Sequence, residues 1–162
     1  MIYKEESSFV DEKSRILVKE KDDKHFKYLT VKKLINHLEN DKTYYTIGKD
    51  LELNKITKIT FVGVQDFVEL RTFVGSKLFV GKGTEVYVDD EWIKAEEILY
   101  HEKIYQYNLL DDTFRETFIT KNDPASKRRS YRIETENSEG LVVDNFIVRF
   151  VDLNEDFSKE DK

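Results

Sequence analysis

Apolar and polar residues alternate with a period of two through the middle and C-terminal parts of the chain, the pattern a strand produces when one of its faces is buried. The runs 56–62 and 67–73 show it first, with Gly63 and Gly75 read as breaks. Runs 78–80, 85–88, 103–107, 113–119, 129–135 and 146–151 continue the series. Many short strands joined by turns rather than long helices predict an all-β protein, mainly antiparallel, with one or two short helices. The helix falls at 31–38: Thr30 is a fitting N-cap, and Val31, Leu34, Ile35 and Leu38 share one face at helical spacing. A second helical turn is expected over 94–99.

With 162 residues the chain has the size of one domain. Eleven Phe and nine Tyr supply a packed core despite 37% charged residues. A chain of this size buries about two-thirds of its unfolded surface and needs neither disulfide nor structural metal. Zero cysteines remove thiol catalysis, cysteine-ligated zinc and iron–sulfur chemistry. His25, His37 and His101 are scattered without metal-ligand spacing, so no metal and no cofactor is expected. Asp89-Asp90-Glu91 and Asp111-Asp112 read as solvated hairpin turns, and Trp92 as a core anchor over a hairpin.

No run approaches the roughly 18 apolar residues needed to span a bilayer, and the first residues lack the apolar stretch of a signal peptide. A cytoplasmic protein without membrane contact is the expectation. The net charge of −6 opposes phosphate backbones, so nucleic acid is disfavoured as a partner and protein is favoured. The best basic patch, Lys127-Arg128-Arg129, reads as part of a solvated loop over 121–130 that also holds Asp123-Pro124. The charged first residues and the acidic tail at 152–162 are expected to be exposed.

Three segments, in order, resemble the Hint superfamily, the fold shared by inteins and hedgehog autoprocessing domains. The first runs from Ser7-Ser8-Phe9-Val10 through Ser14-Arg15-Ile16-Leu17-Val18 to the strand at 26–29 and the helix after it. It is similar to the N-terminal intein block, in which a nucleophile precedes a Thr-x-Ile-x-Val strand. The second spans 75–98, with Gly75, Leu78-Phe79-Val80, Trp92 and Lys94-Ala95-Glu96-Glu97-Ile98. It looks like the block in which a glycine turn leads to T-x-x-H, a strand, a turn with Trp and a short helix. The third, Val143 to Phe150, resembles the C-terminal block that ends in His-Asn. The resemblance implies a single Hint-like domain over 1–162, a horseshoe with its core at about 7–151, a charged segment at 1–6 and an acidic tail at 152–162. It also implies that the strand at 14–18 lies next to the strand at 146–150.

Splicing begins when Cys or Ser attacks the preceding carbonyl, and the Thr and His of the second block polarise and protonate the scissile amide. At the far end an Asn cyclises with help from the preceding His. Transferred onto this chain, the family pattern puts Phe9 at the nucleophile, Gly81 at the Thr, Thr84 at the His, Arg149 at the penultimate His and Phe150 at the Asn. Thr84 supplies no group that titrates near neutrality, Arg149 stays protonated and Phe150 has no amide to cyclise. Ser8 and Ser7 lie one and two residues from the nucleophile position.

Three functions stay open. The first is an inert structural or protein-interaction module, with a bacteriophage or other viral source suggested by analogy, in which Phe9, Thr84 and Phe150 fill the old cleft. The second is an active cysteine-free intein or self-cleaving domain using Ser7 or Ser8, marked by time-dependent cleavage. The third is a nucleic-acid accessory using Lys127, Arg128 and Arg129, marked by salt-sensitive binding. Oligomeric state and partner identity are not legible.

Overall fold

The alternating runs become strands in the computed structural model, which describes residues 8–150; Ser7, the segment 1–6 and the tail at 152–162 lie outside the described residues. In chain order the elements are β1 (Val10–Asp11), β2 (Arg15–Val18), β3 (Lys27–Thr30), α1 (Val31–Glu39), β4 (Tyr45–Ile47), β5 (Leu53–Thr72), β6 (Lys77–Val80) and β7 (Glu85–Val88). They continue with β8 (Glu91–Lys94), β9 (Lys103–Asn108), β10 (Thr113–Thr135), β11 (Leu141–Val143) and β12 (Phe146–Arg149). All twelve strands join one antiparallel sheet in the order β3-β2-β11-β12-β7-β9-β10-β1-β6-β5-β4, with β8 attached to β7. Because β10 also pairs directly with β5, the sheet closes on itself through β1 and β6. The expected all-β, mainly antiparallel class is what the structure has.

Two boundaries differ from the sequence reading. The runs 56–62 and 67–73 fuse into β5, and 113–119 and 129–135 fuse into β10. Gly63 does not break β5: at φ +105° it takes up a bulge, where Ser130 faces Gly63 and the next residue, Tyr131, faces Phe61. The expected loop over 121–130 is strand, with Lys127, Arg128 and Arg129 opposite Asp66, Gln65 and Val64. Pro124 is tolerated there because β10 is paired only with β5 at that point, so one flank needs no donor. Gly75, by contrast, is a true turn at φ +92°, closed by its N–H donating to Thr72 O at 2.9 Å.

Helix α1 begins as its cap predicts, the Thr30 hydroxyl accepting from Lys33 N at 3.3 Å, and buries Val31 and Leu34 against the sheet. The second helix shrinks to one 3-10 turn at Ala95–Glu97. The neighbour expected for 14–18 is also different. β2 pairs with β11, Ile16 opposite Val143, and β11 separates it from β12. Strand β11 escapes a period-two reading because Leu141, Val142 and Val143 are all buried, so no alternation marks it. Asp144 and Asn145, both at positive φ, form the two-residue turn into β12.

The core runs continuously from β1 and β2 to β12, with Val10, Ile16, Leu34, Leu70, Leu78, Val86, Ile104, Val143, Phe146 and Val148 fully buried. Each such side chain contributes about 1.5–3 kcal/mol relative to an exposed one. That frame brings the start of β1 beside the connection between β6 and β7. Among the described residues no helix is long and apolar enough to cross a membrane.

Candidate functional site

Three residues of the β6–β7 connection, Gly81, Gly83 and Thr84, hold the backbone just before β1. Pairing of Val10 with Val80 sets this register and places Phe9 over the turn that follows β6. Gly81 N donates to Phe9 O at 3.0 Å, and Thr84 N closes the turn by donating to Gly81 O at 3.0 Å. The Thr84 hydroxyl, fully buried, accepts from Phe9 N at 3.1 Å and lies 3.4 Å from Phe9 O. Ser8 Oγ donates to Gly83 O at 3.1 Å. Both polar groups of the Phe9 peptide are therefore satisfied by Gly81 and Thr84, as buried backbone requires.

The Phe9 ring is only 2% exposed and meets Phe67 edge-on at 4.9 Å. On the far side of β7, Arg149 pairs with Glu85, the residue after Thr84. Arg149 Nε donates to Glu85 Oε1 at 2.8 Å, and its guanidinium lies 4.6 Å from the Trp92 ring. Phe150, one residue further, packs against the core but is only half-buried. Phe9, Gly81 and Thr84 thus touch, and Arg149 and Phe150 stand at the adjoining strand end.

Chemically this arrangement holds the Phe9 N–H and C=O by hydrogen bonds. Thr84 orients the Phe9 N–H without a proton to exchange near neutrality. Phe9 offers no nucleophile, and Arg149 is a fixed cation held by Glu85. The histidines stand elsewhere: His37 Nδ1 is 2.8 Å from Tyr44 Oη, and His101 lies against Tyr100 and Phe118. Among the described residues no group of His, Cys, Asp or Glu is arranged to hold a metal ion. Trp92 packs on Tyr87 and reaches over Gly140, where an added Cβ would sit 2.8 Å from the indole.

In the basic run Lys127 is exposed, while Arg128 and Arg129 each face a carboxylate and an aromatic ring. Arg128 Nη1 pairs with Asp11 Oδ2 at 2.8 Å with its guanidinium 3.9 Å from the Phe79 ring. Arg129 Nε is 3.7 Å from Glu12 and its guanidinium is 4.3 Å from the Phe61 ring. Sequence reasoning missed a different set, Arg15, Lys77, Asp144 and Asn145, which line a cavity of about 510 Å³ with Asp11 and Arg128. Burial holds the Asp144 carboxyl above the usual carboxylate range even though Arg15 pulls it down. The visible signal was Asp144-Asn145 between two apolar runs, a hairpin-turn dipeptide rather than a mark of a site.

No protein-family model and no curated protein matches the chain in sequence. Solved structures do match in fold. A DnaB intein from Synechocystis sp. PCC 6803 aligns with a TM-score of 0.74 at 17% identity, covering 90% of this chain and 100% of that one. The transcription factor IIB Mvu mini-intein aligns at 0.69 and 15% identity over 88% and 99% of the two chains. An intein from a hyperthermophile gives 0.71 and 14% over 89% and 99%. The chain has the all-β Hint fold of inteins.

Proposed function

We propose that this intein-like domain neither splices nor cleaves itself and serves as a structural or protein-interaction module. The observation that carries the reading is the hydrogen bond from Phe9 N to Thr84 Oγ1. Thr84 stands where the resemblance puts the acid–base histidine, and Phe9 where it puts the nucleophile. A threonine hydroxyl can hold the amide but cannot deliver a proton to a departing nitrogen at neutral pH. The aromatic ring that follows has nothing to attack with. At the other end, Arg149 and Phe150 supply neither an assisting imidazole nor a cyclising amide.

Ser8 does not rescue the reaction. Its hydroxyl donates to Gly83 O at 3.1 Å, which ties up the proton a nucleophile must give away. A viral setting, in an assembly or against a host protein, fits this reading by analogy only. The test is release by hydroxylamine from a fusion carrying a reporter ahead of residue 1. An ester at Ser7 or Ser8 would be cut and free the reporter, whereas the inert domain yields the same band with and without hydroxylamine, in wild type and in Ser8→Ala alike.

A further inference from the structure

We infer that a groove built from the turns around Lys13, Ser76 and Asn145 binds an acidic, leucine-bearing peptide segment of a partner protein. The inference rests on the interaction-module reading and names the chemistry of the partner.

The groove has two parts. The first is the cavity of about 510 Å³, into which Lys13, Arg15, Lys77 and Arg128 bring four cations against the two carboxylates of Asp11 and Asp144. Both carboxylates are already engaged, Asp11 by Arg128 at 2.8 Å and Asp144 by Arg15 Nε at 3.2 Å. Lys13 and Lys77 are exposed and have no carboxylate within 4.0 Å among the described residues. The cavity therefore carries a surplus of positive charge in a molecule whose net charge is −6. A local field of that sign attracts anionic groups to this spot.

The second part is a trough of about 360 Å³ that shares Val74, Ser76 and Asn145 with the cavity and is rimmed by Leu109 and Leu110. Val74 is 68% and Leu110 96% exposed, aliphatic surface that water covers poorly. Gln106 also lines the trough; its side-chain oxygen accepts from Thr72 while its buried amide nitrogen has no partner.

Cationic cavity and aliphatic trough side by side match a carboxylate next to a leucine-like side chain. Nucleic acid fits less well. Its bases need open aromatic faces, but in this groove the Phe79 ring is covered by Arg128 and Tyr107 is buried.

The test uses the full chain and a fluorescein-labelled peptide, Glu-Leu-Asp-Leu-Glu, followed by anisotropy. Saturable binding that weakens as salt rises is expected. The charge reversal Lys13→Glu with Lys77→Glu should weaken it by about tenfold or more, and Leu110→Asp by about fivefold. All three positions are exposed, so far-ultraviolet circular dichroism and Tm should not change. Unaltered binding by either variant overturns the groove. So does equal binding of a peptide with Ser in place of Leu, or tighter binding of a single-stranded oligonucleotide of the same charge. A chain that stays whole in the hydroxylamine assay yet ignores the peptide removes the groove alone; one that sheds its reporter removes the underlying reading.

Discussion

At position 84 a fully buried hydroxyl pairs a buried backbone N–H, that of Phe9, at 3.1 Å. Thr84→Val keeps the shape and leaves Phe9 N without an acceptor, so it should cost about 1–3 kcal/mol in urea denaturation. An unchanged midpoint would contradict the role given to that hydrogen bond. Phe9→Ala empties a fully packed aromatic site and should cost about 3–5 kcal/mol. Phe150 was expected to fill the same cleft, but it is half-buried, so Phe150→Ala should cost less, about 1–2 kcal/mol. Phe9 and Thr84 were legible because the apolar residues flanking them fix their spacing. Asp144 was not, since its burial arises from β2 and β11 meeting across more than a hundred residues. With its carboxyl held above the ordinary 3.8, the folded chain binds more protons than the unfolded one just above that pH, and stability falls as pH rises through the window. Asp144→Asn, which suits the φ of +48°, removes that fall. Its Tm should gain on the wild type at about pH 7 relative to about pH 3; no change in the difference would count against a raised Asp144.

Among elements, the alternation of apolar residues revealed the strands but not their ends. Glycine and proline are ordinary stop signals, yet Gly63 and Pro124 both lie inside long strands, one in a bulge and the other where only one flank is paired. Sequence spacing cannot show which flank of a strand has a neighbour. Gly63 and Gly140 separate two effects on the same type of residue. Both sit at positive φ, but a Cβ at Gly63 meets nothing within 4 Å, whereas at Gly140 it would lie 2.8 Å from both Trp92 and Val148 O. Gly63→Ala should therefore cost only the backbone strain, about 1–2 kcal/mol. Gly140→Ala adds a clash with backbone and should cost clearly more, with both read from the same denaturation series. Equal losses would mean that the indole and β12 yield easily, and that the clamp between β8 and the start of β11 is loose.

Across the whole molecule, the Hint frame stands on apolar residues spread through the described chain, and the proposal that it does not autoprocess rests on five positions, Phe9, Gly81, Thr84, Arg149 and Phe150. Core packing depends on many interchangeable apolar side chains. Autoprocessing depends on single groups at fixed distances, so it is lost by a few substitutions that leave the sheet intact. The class was legible for the first reason, whereas the neighbour of β2 was not, β11 standing where β12 was expected. The closure of the sheet through β10, β1, β6 and β5 was not, because it depends on pairings between segments far apart in sequence. The most direct test of the account is the intact mass of the chain fused to test sequences at both ends, followed over days at neutral pH with and without a strong thiol nucleophile. The account predicts one unchanged mass throughout; loss of either flank at a defined bond would contradict it.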